Sequence, residues 1–239
     1  MIYPRSNQYD ERQIRAKIMG PNPLKLLEEL LAEQRIPRGG TVMDLGCGQG
    51  LTSVFLVREY GFRVFATDLW SDPADNRRFF EQMGLTPGEI VPIRADAAEL
   101  PYAREFFDGI ISVDAYHYFG REPGFLEKRL LPFIKPGGYL YIAVPGMKRD
   151  CHADLPPELL LSWSPEDLDS LHDAKYWRRI IGRPEAAAEL RVREMASNEE
   201  VWRDWLACDN EYAAGDRKAM EAGGDKYLNF IAITLRKKG

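Results

Sequence analysis

Val42-Met43-Asp44-Leu45-Gly46-Cys47-Gly48-Gln49-Gly50 runs a short apolar segment straight into three alternating glycines, and residues 51–60 then carry helical spacing. In doubly wound α/β sheets, ligands sit at a strand-to-helix turn of this kind. Glycines there adopt backbone angles closed to other residues and let a ligand press against the main chain. Outward from the turn the rhythm repeats: strands over 63–67, 90–95, 109–113 and 139–144, helices over 75–83 and 123–133. Strands alternating with helices specify a mostly parallel sheet covered on both faces.

The flanks lie outside that repeat. Asp10 can cap a helix reaching Ile18 with Gly20 as its stop, and a second helix follows Pro23 with Leu24, Leu27, Leu30 and Leu31 on one face. Residues 145–163 have no period and read as a loop. Beyond them come a helix over 164–181, a strand over 190–195, a Ser197/Glu200 capping box for a helix reaching Cys208, and a closing strand over 227–236. No internal repeat or long linker divides the chain. The expectation is one domain over 1–239: N-terminal helical lid 1–35, core 36–146, a C-terminal cap of loop and helices over 147–224, and the final strand.

Composition narrows the class. A hydrophobic fraction of 45% with 29% charged residues is that of a globular protein, and no apolar run nears the roughly 18 residues of a membrane span. Met1-Ile2-Tyr3-Pro4-Arg5-Ser6 lacks the plan of a signal peptide, and three cysteines at unpatterned spacing form no disulfide framework, so a cytoplasmic location is expected. The net charge of -5 and pI of about 5.4 supply no positive field for a phosphate backbone. Nucleic acid is therefore not the expected partner, and Arg236-Lys237-Lys238 reads as a solvated chain end.

Charge decides what the turn holds. A dinucleotide site cradles a pyrophosphate, which Asp44 opposes, and its usual third glycine falls where this chain has Leu51. S-adenosylmethionine carries a sulfonium and an ammonium and no phosphate, so a carboxylate at that strand end complements it. Two more acids stand at corresponding strand ends: Asp68, placed to accept ribose hydroxyls, and Asp96, placed to accept from an adenine amino group while the Ala97 backbone meets the ring edge. One acid at a strand end is ordinarily a helix cap; three on successive strands point to a ligand.

The segments VMDLGCGQG, FATD, RADAAELPY, FDGIISVDAYHYF and IKPGGYLYIAVPG, spanning roughly 41–146, together resemble the ordered motif series of class I S-adenosylmethionine-dependent methyltransferases. The flanks are similar, more loosely, to small bacterial methyltransferases of the cyclopropane-synthase-like and ubiquinone-biosynthesis-like kind. The resemblance implies a Rossmann-like, seven-stranded, mostly parallel sheet whose final strand runs antiparallel beside the strand from Tyr139. It further implies that Gly46 and Gly48 contact the methionine moiety, Asp68 the ribose, and Asp96 with Ala97 the adenine, between Leu69 and Leu100. Cys47 and Gly50 belong to the same turn, with Cys47 packing there unreacted. S-adenosylhomocysteine is the expected product and a small molecule the expected acceptor.

Methyl transfer is an in-line displacement, so alignment of donor and acceptor supplies much of the acceleration and a base is optional. The candidate base is His117, directly after the fourth core strand, with Tyr116 and Tyr118 shaping the acceptor pocket. Asp114 is placed to bind the methionine ammonium or to cap the next turn, and Tyr9 and Arg12 to close as a lid. Acceptor choice is expected in 145–163 and in the helix bearing Trp202, Trp205 and Asp209. No metal is expected. The rivals are a non-catalytic S-adenosylmethionine-binding regulator, an NAD-dependent oxidoreductase, and a thiol cluster of Cys47, Cys151 and Cys208 taking a thiophilic metalloid.

Overall fold

Alternation along the central strands decides which face each residue covers. In Thr41–Leu45 (β1), Val42 points into one apolar layer while Met43 and Leu45 point into the other. Ile110 and Ile111 divide in the same way in Phe107–Val113 (β4), as do Leu140 and Tyr141 in Ile134–Met147 (β5). The computed structural model describes residues 3–239; Met1 and Ile2, part of the stretch read above for a leader, lie outside the described residues. With Arg63–Asp68 (β2), Ile90–Arg94 (β3), Ala187–Glu194 (β6) and Leu228–Lys237 (β7), the described residues form a seven-stranded sheet in the order β3-β2-β1-β4-β5-β7-β6. Strand β7 lies antiparallel between β5 and β6, and the pairs from β3 through β5 are parallel.

Helices cover both faces. Pro23–Leu30 (α2), capped by the Asn22 side chain, buries Leu24, Leu26 and Leu27 in the first layer, beside Leu51–Phe55 (α3) and its continuation as a π-helical turn, Leu56–Tyr60. Ala174–Ile181 (α7) buries Trp177 in the second layer. Glu11–Arg15 (α1) is capped by Asp10 as expected but ends short of Ile18. Pro73–Gln82 (α4) starts at an Asp72 cap.

Several boundaries differ from expectation. The helix expected over 123–133 is a π-helical turn, Leu126–Leu130, followed by a 3-10 turn, Leu131–Phe133, where Pro132 removes a backbone donor. The helix expected over 164–181 is two, Pro165–Leu168 (α6) and α7, because Asp173 opens a new cap. The Ser197 capping box is absent: the Ser197 side chain makes no cap bond to Asn198–Leu206 (α8). Glu29 of α2 instead anchors the segment entering α8, accepting from the Ala196 and Ser197 amides at 3.0 and 2.8 Å and from Arg193 at 2.5 Å.

Candidate active site

The glycine turn sits on the end of β2. The Gly46 amide donates to the Thr67 carbonyl at 2.8 Å, the Gly48 amide to Asp68 Oδ2 at 2.9 Å, and Asn76 Nδ2 of α4 to the Gly48 carbonyl at 2.9 Å. Gly46 and Gly48 have φ of 79° and 51°, and a Cβ on Gly46 would stand 2.2 Å from that of Ala115. Substitution is barred there by strain and by space together. The turn, the ends of β2, β3 and β4, residues 15–21 and the junction between α8 and Glu211–Glu221 (α9) enclose a crevice of about 1060 Å³.

Asp68, Asp96 and Asp114 all line this crevice. Asp68 Oδ1 accepts from the Trp70 and Ser71 amides, each at 2.8 Å, and Oδ2, which accepts only from Gly48, retains acceptor capacity. Asp96 accepts from the Ala98 amide at 2.8 Å. Asp114 accepts no hydrogen bond among the described residues; it caps no helix, since the short Tyr116–Phe119 helix (α5) has Ala115 at its N-cap. Burial first, then the like charge of Asp216 on α9, pushes the Asp114 carboxyl up to about 7.

Asp44 is placed differently. It is 1% exposed behind the turn, its Oδ2 accepting from Thr52 Oγ1 at 2.7 Å and Ser53 Oγ at 2.6 Å, with Oδ1 buried and unpartnered. Burial lifts its carboxyl to about 6 against those two hydrogen bonds. It supports the turn and does not line the crevice. Gly50, at φ 82°, opens α3 and also stands outside the lining. Cys47 does line it, with a thiol that burial raises well above the ordinary value.

Tyr116 and His117 do not reach the crevice. Tyr116 is 1% exposed against Phe119, Phe125 and Trp177, and His117 is 3% exposed with Nδ1 unpartnered. Burial, then the nearby Arg121 cation, drives the His117 imidazole down to about 3, so it is neutral throughout the neutral range. The base reading of His117 finds no support in this placement. Tyr118 and Phe119, the next two residues of the same helix, line the crevice instead.

Leu69 and Ala97 line the crevice, whereas Leu100 is packed in the second apolar layer. Trp205 and Asp209 line it and Trp202 does not, packing beside Trp163. The N-terminal strap over the crevice is 15–21; Tyr9 instead packs on Phe55 and donates to Glu59. Asn76, Met19, Trp70 and Tyr212 were not singled out in the sequence. Of the seven exposed large apolar side chains among the described residues, five line the crevice: Met19, Leu69, Trp70, Tyr118 and Tyr212.

The three cysteines meet different partners: Cys47 Sγ the Gly48 carbonyl, Cys151 Sγ the Met147 sulfur, and Cys208 Sγ the Asp204 carbonyl. No group of three His, Cys, Asp or Glu able to hold a metal ion occurs among the described residues, so the metalloid reading lacks its cluster.

Residues 43–142 match the family described as methyltransferase domain. Over 110 residues the chain is 37% identical to 2-methyl-6-phytyl-1,4-hydroquinone methyltransferase of a Synechocystis species, covering 45% of this chain and 33% of that protein. Over 107 residues it is 36% identical to a Mycobacterium ulcerans protein named as a phthiotriol/phenolphthiotriol dimycocerosates methyltransferase, covering 44% of this chain and 39% of that one. The chain thus spans well under half the length of either relative. Phosphoethanolamine N-methyltransferase 2 of Haemonchus contortus, solved with S-adenosyl-L-methionine, superposes with a TM-score of 0.73 at 18% identity, over 100% of this chain and 60% of that one, which shows the fold. Residues 43–142 of this chain thus match a methyltransferase domain, and the chain as a whole shares the fold of that solved methyltransferase.

Proposed function

We propose that this chain transfers the methyl group of S-adenosylmethionine in line to a small molecule and releases S-adenosylhomocysteine. The observation that carries the reading is the pair of strand-end carboxylates, Asp68 and Asp96, facing one crevice beside the glycine turn. That anionic lining suits a cationic, phosphate-free nucleoside and opposes a pyrophosphate, which disfavours the dinucleotide rival. Asp68 Oδ2 has a lone pair free for a ribose hydroxyl, Asp96 and the Ala97 amide meet the adenine edge, and Leu69 covers one ring face. Gly46 and Gly48 present bare backbone in the crevice lining, against which the methionine moiety lies.

The bound donor supplies an electrophilic methyl carbon. The chain supplies alignment, and with Tyr116 and His117 outside the crevice that alignment is its principal contribution. The crevice volume of about 1060 Å³ lies at the upper end of small-molecule sites, leaving room for an acceptor beside the donor. Net charge of -5 supports a small-molecule partner over nucleic acid. Free cysteines at Cys47, Cys151 and Cys208 support a reducing, cytoplasmic setting, and among the described residues no helix is long and apolar enough to cross a membrane.

Calorimetric titration with S-adenosylhomocysteine and NAD, followed by incubation with labelled donor and fractionated metabolites, tests the reading. S-adenosylhomocysteine binds, NAD does not, and one fraction acquires label. A folded protein that ignores S-adenosylhomocysteine sinks the assignment; binding without label in any fraction moves it to a non-catalytic donor-binding protein.

A further inference from the structure

Asp114 combines three properties that call for a ligand. Its backbone is left-handed at φ 56°, a conformation that side-chain-bearing residues keep only where surrounding structure enforces it, and such strain collects at functional sites. Its carboxylate faces the crevice with no hydrogen-bond partner among the described residues. It is also crowded by the strap, since a Cβ on Gly20 would lie 2.7 Å from Asp114 Oδ2. A carboxylate so placed either holds a proton or awaits a cation.

The surroundings favour a cation. Trp70 and Tyr118, with ring centroids 5.6 Å apart at 74°, are 72% and 59% exposed at the crevice, and Tyr212 of α9 is 71% exposed there. Ring faces left open in this way attract ammonium groups. The two basic residues of the lining are committed elsewhere: Arg15 pairs with Glu11 at 3.1 Å, and Lys17 Nζ stands 4.4 Å over the Phe79 ring. Asp209 adds a second carboxylate to the side of the crevice formed by α8 and α9.

Resting on the donor reading above, we propose that the methyl acceptor is a cationic amine, its ammonium seated against Asp114 and its substituents against Trp70, Tyr118 and Tyr212. The amine surrenders its proton to the Asp114 carboxylate, and its lone pair forms the N–C bond as the C–S bond breaks. The electron pair of that bond stays on sulfur, and the proton leaves Asp114 for solvent with the product. The carboxyl's position near 7 matches that exchange at neutral pH.

Phenyltrimethylammonium and its neutral isostere tert-butylbenzene, titrated calorimetrically into protein saturated with S-adenosylhomocysteine, test the proposal. The quaternary probe keeps its charge at every pH, so only the protein titrates. The groups facing Asp114 or sharing its crevice are Asp216 and Tyr118, with Asp68, Asp96, Asp209, Arg15, Lys17, Cys47 and Tyr212 around the lining. Asp114→Asn isolates the one carboxyl, and asparagine tolerates the left-handed backbone.

The expected result is a preference of about tenfold for the cation in the wild type, growing between about pH 6 and about pH 8 and lost in Asp114→Asn. Equal affinity for the two probes, or a preference that survives Asp114→Asn, overturns the proposal. A large loss of S-adenosylhomocysteine affinity in Asp114→Asn also overturns it, by assigning the carboxylate to the donor's own ammonium. Failure of the wild type to bind S-adenosylhomocysteine at all is a separate result and sinks the donor reading itself.

Discussion

The Gly48 amide donates to Asp68 Oδ2 at 2.9 Å, so the residue expected to meet the ribose also clamps the glycine turn. One carboxylate thereby couples the end of β2 to the loop after β1, and its other oxygen orders the Trp70 and Ser71 amides. The proposed ribose contact and the ordering of the turn thus fall to a single side chain.

Asp68→Ala removes all three of these bonds together with the proposed ribose contacts. S-adenosylhomocysteine affinity is expected to fall by about 1–3 kcal/mol, read by calorimetry on a variant whose circular dichroism is unchanged. Asp68→Asn keeps one acceptor oxygen and should fall between the two. Unchanged affinity in a folded Asp68→Ala protein removes Asp68 from the donor site.

Asp44 sets a pH dependence of stability. Its carboxyl rises from 3.8 to about 6 on folding, chiefly through burial, so between those values the folded state holds a proton that the unfolded state has released. Stability from this group is full below about pH 4, declines as pH rises toward 6, and is flat above. Asp44→Asn abolishes that decline. The variant should gain roughly 1–3 kcal/mol relative to wild type on going from about pH 4 to about pH 7.5, measured by urea unfolding. An identical stability difference at both pH values refutes the placement of a costly anion there.

His117 acts at the acid end and in the opposite sense. With the folded imidazole at about 3 and the ordinary value at 6.5, the unfolded chain binds a proton that the folded state refuses. Its share of stability is present above 6.5 and drains away as pH falls. Replacing His117 with Phe should therefore flatten the loss of stability between about pH 7 and about pH 5 by roughly 2 kcal/mol, whatever its packing cost at neutral pH. Because the imidazole is away from the crevice, the same variant should leave the pH dependence of methyl transfer unaltered. A shifted pH–rate profile would restore the base role.

The core was legible where the signal is local. The apolar run from Val42, the glycines that follow and the acids closing β2 and β3 are each specified within a few residues, and the structure brings Asp68, Asp96 and the turn to one crevice. Asp44 shows the limit: a strand-end acid can face the ligand or brace the loop, and only the hydroxyls of Thr52 and Ser53 decide. Tyr116 and His117 fail for a geometric reason, because on a helix each residue turns about 100° from the last. Tyr118 and Phe119 reach the crevice from the same turn that buries the two before them. The Ser197 cap was displaced by a contact the local sequence cannot announce, Glu29 lying 168 residues away. Asn76, which holds the Gly48 carbonyl across 28 residues, is hidden for the same reason.

Gly46 separates backbone strain from crowding. Gly46→Ala places a Cβ at φ 79° and 2.2 Å from the Ala115 Cβ, so it meets both a left-handed penalty of about 1–2 kcal/mol and an overpacking cost of about 1–3 kcal/mol. The expected sum, about 2–5 kcal/mol of lost stability, should come with loss of S-adenosylhomocysteine binding. Ala115→Gly opens the space without touching the backbone angle at residue 46. In the double variant the crowding term should vanish and the strain term remain, giving a favourable coupling of about 1–3 kcal/mol in a double-mutant cycle. Additive effects of the two substitutions refute the close approach of the turn to the segment after β4, and with it the geometry that sets Asp114 beside the glycines.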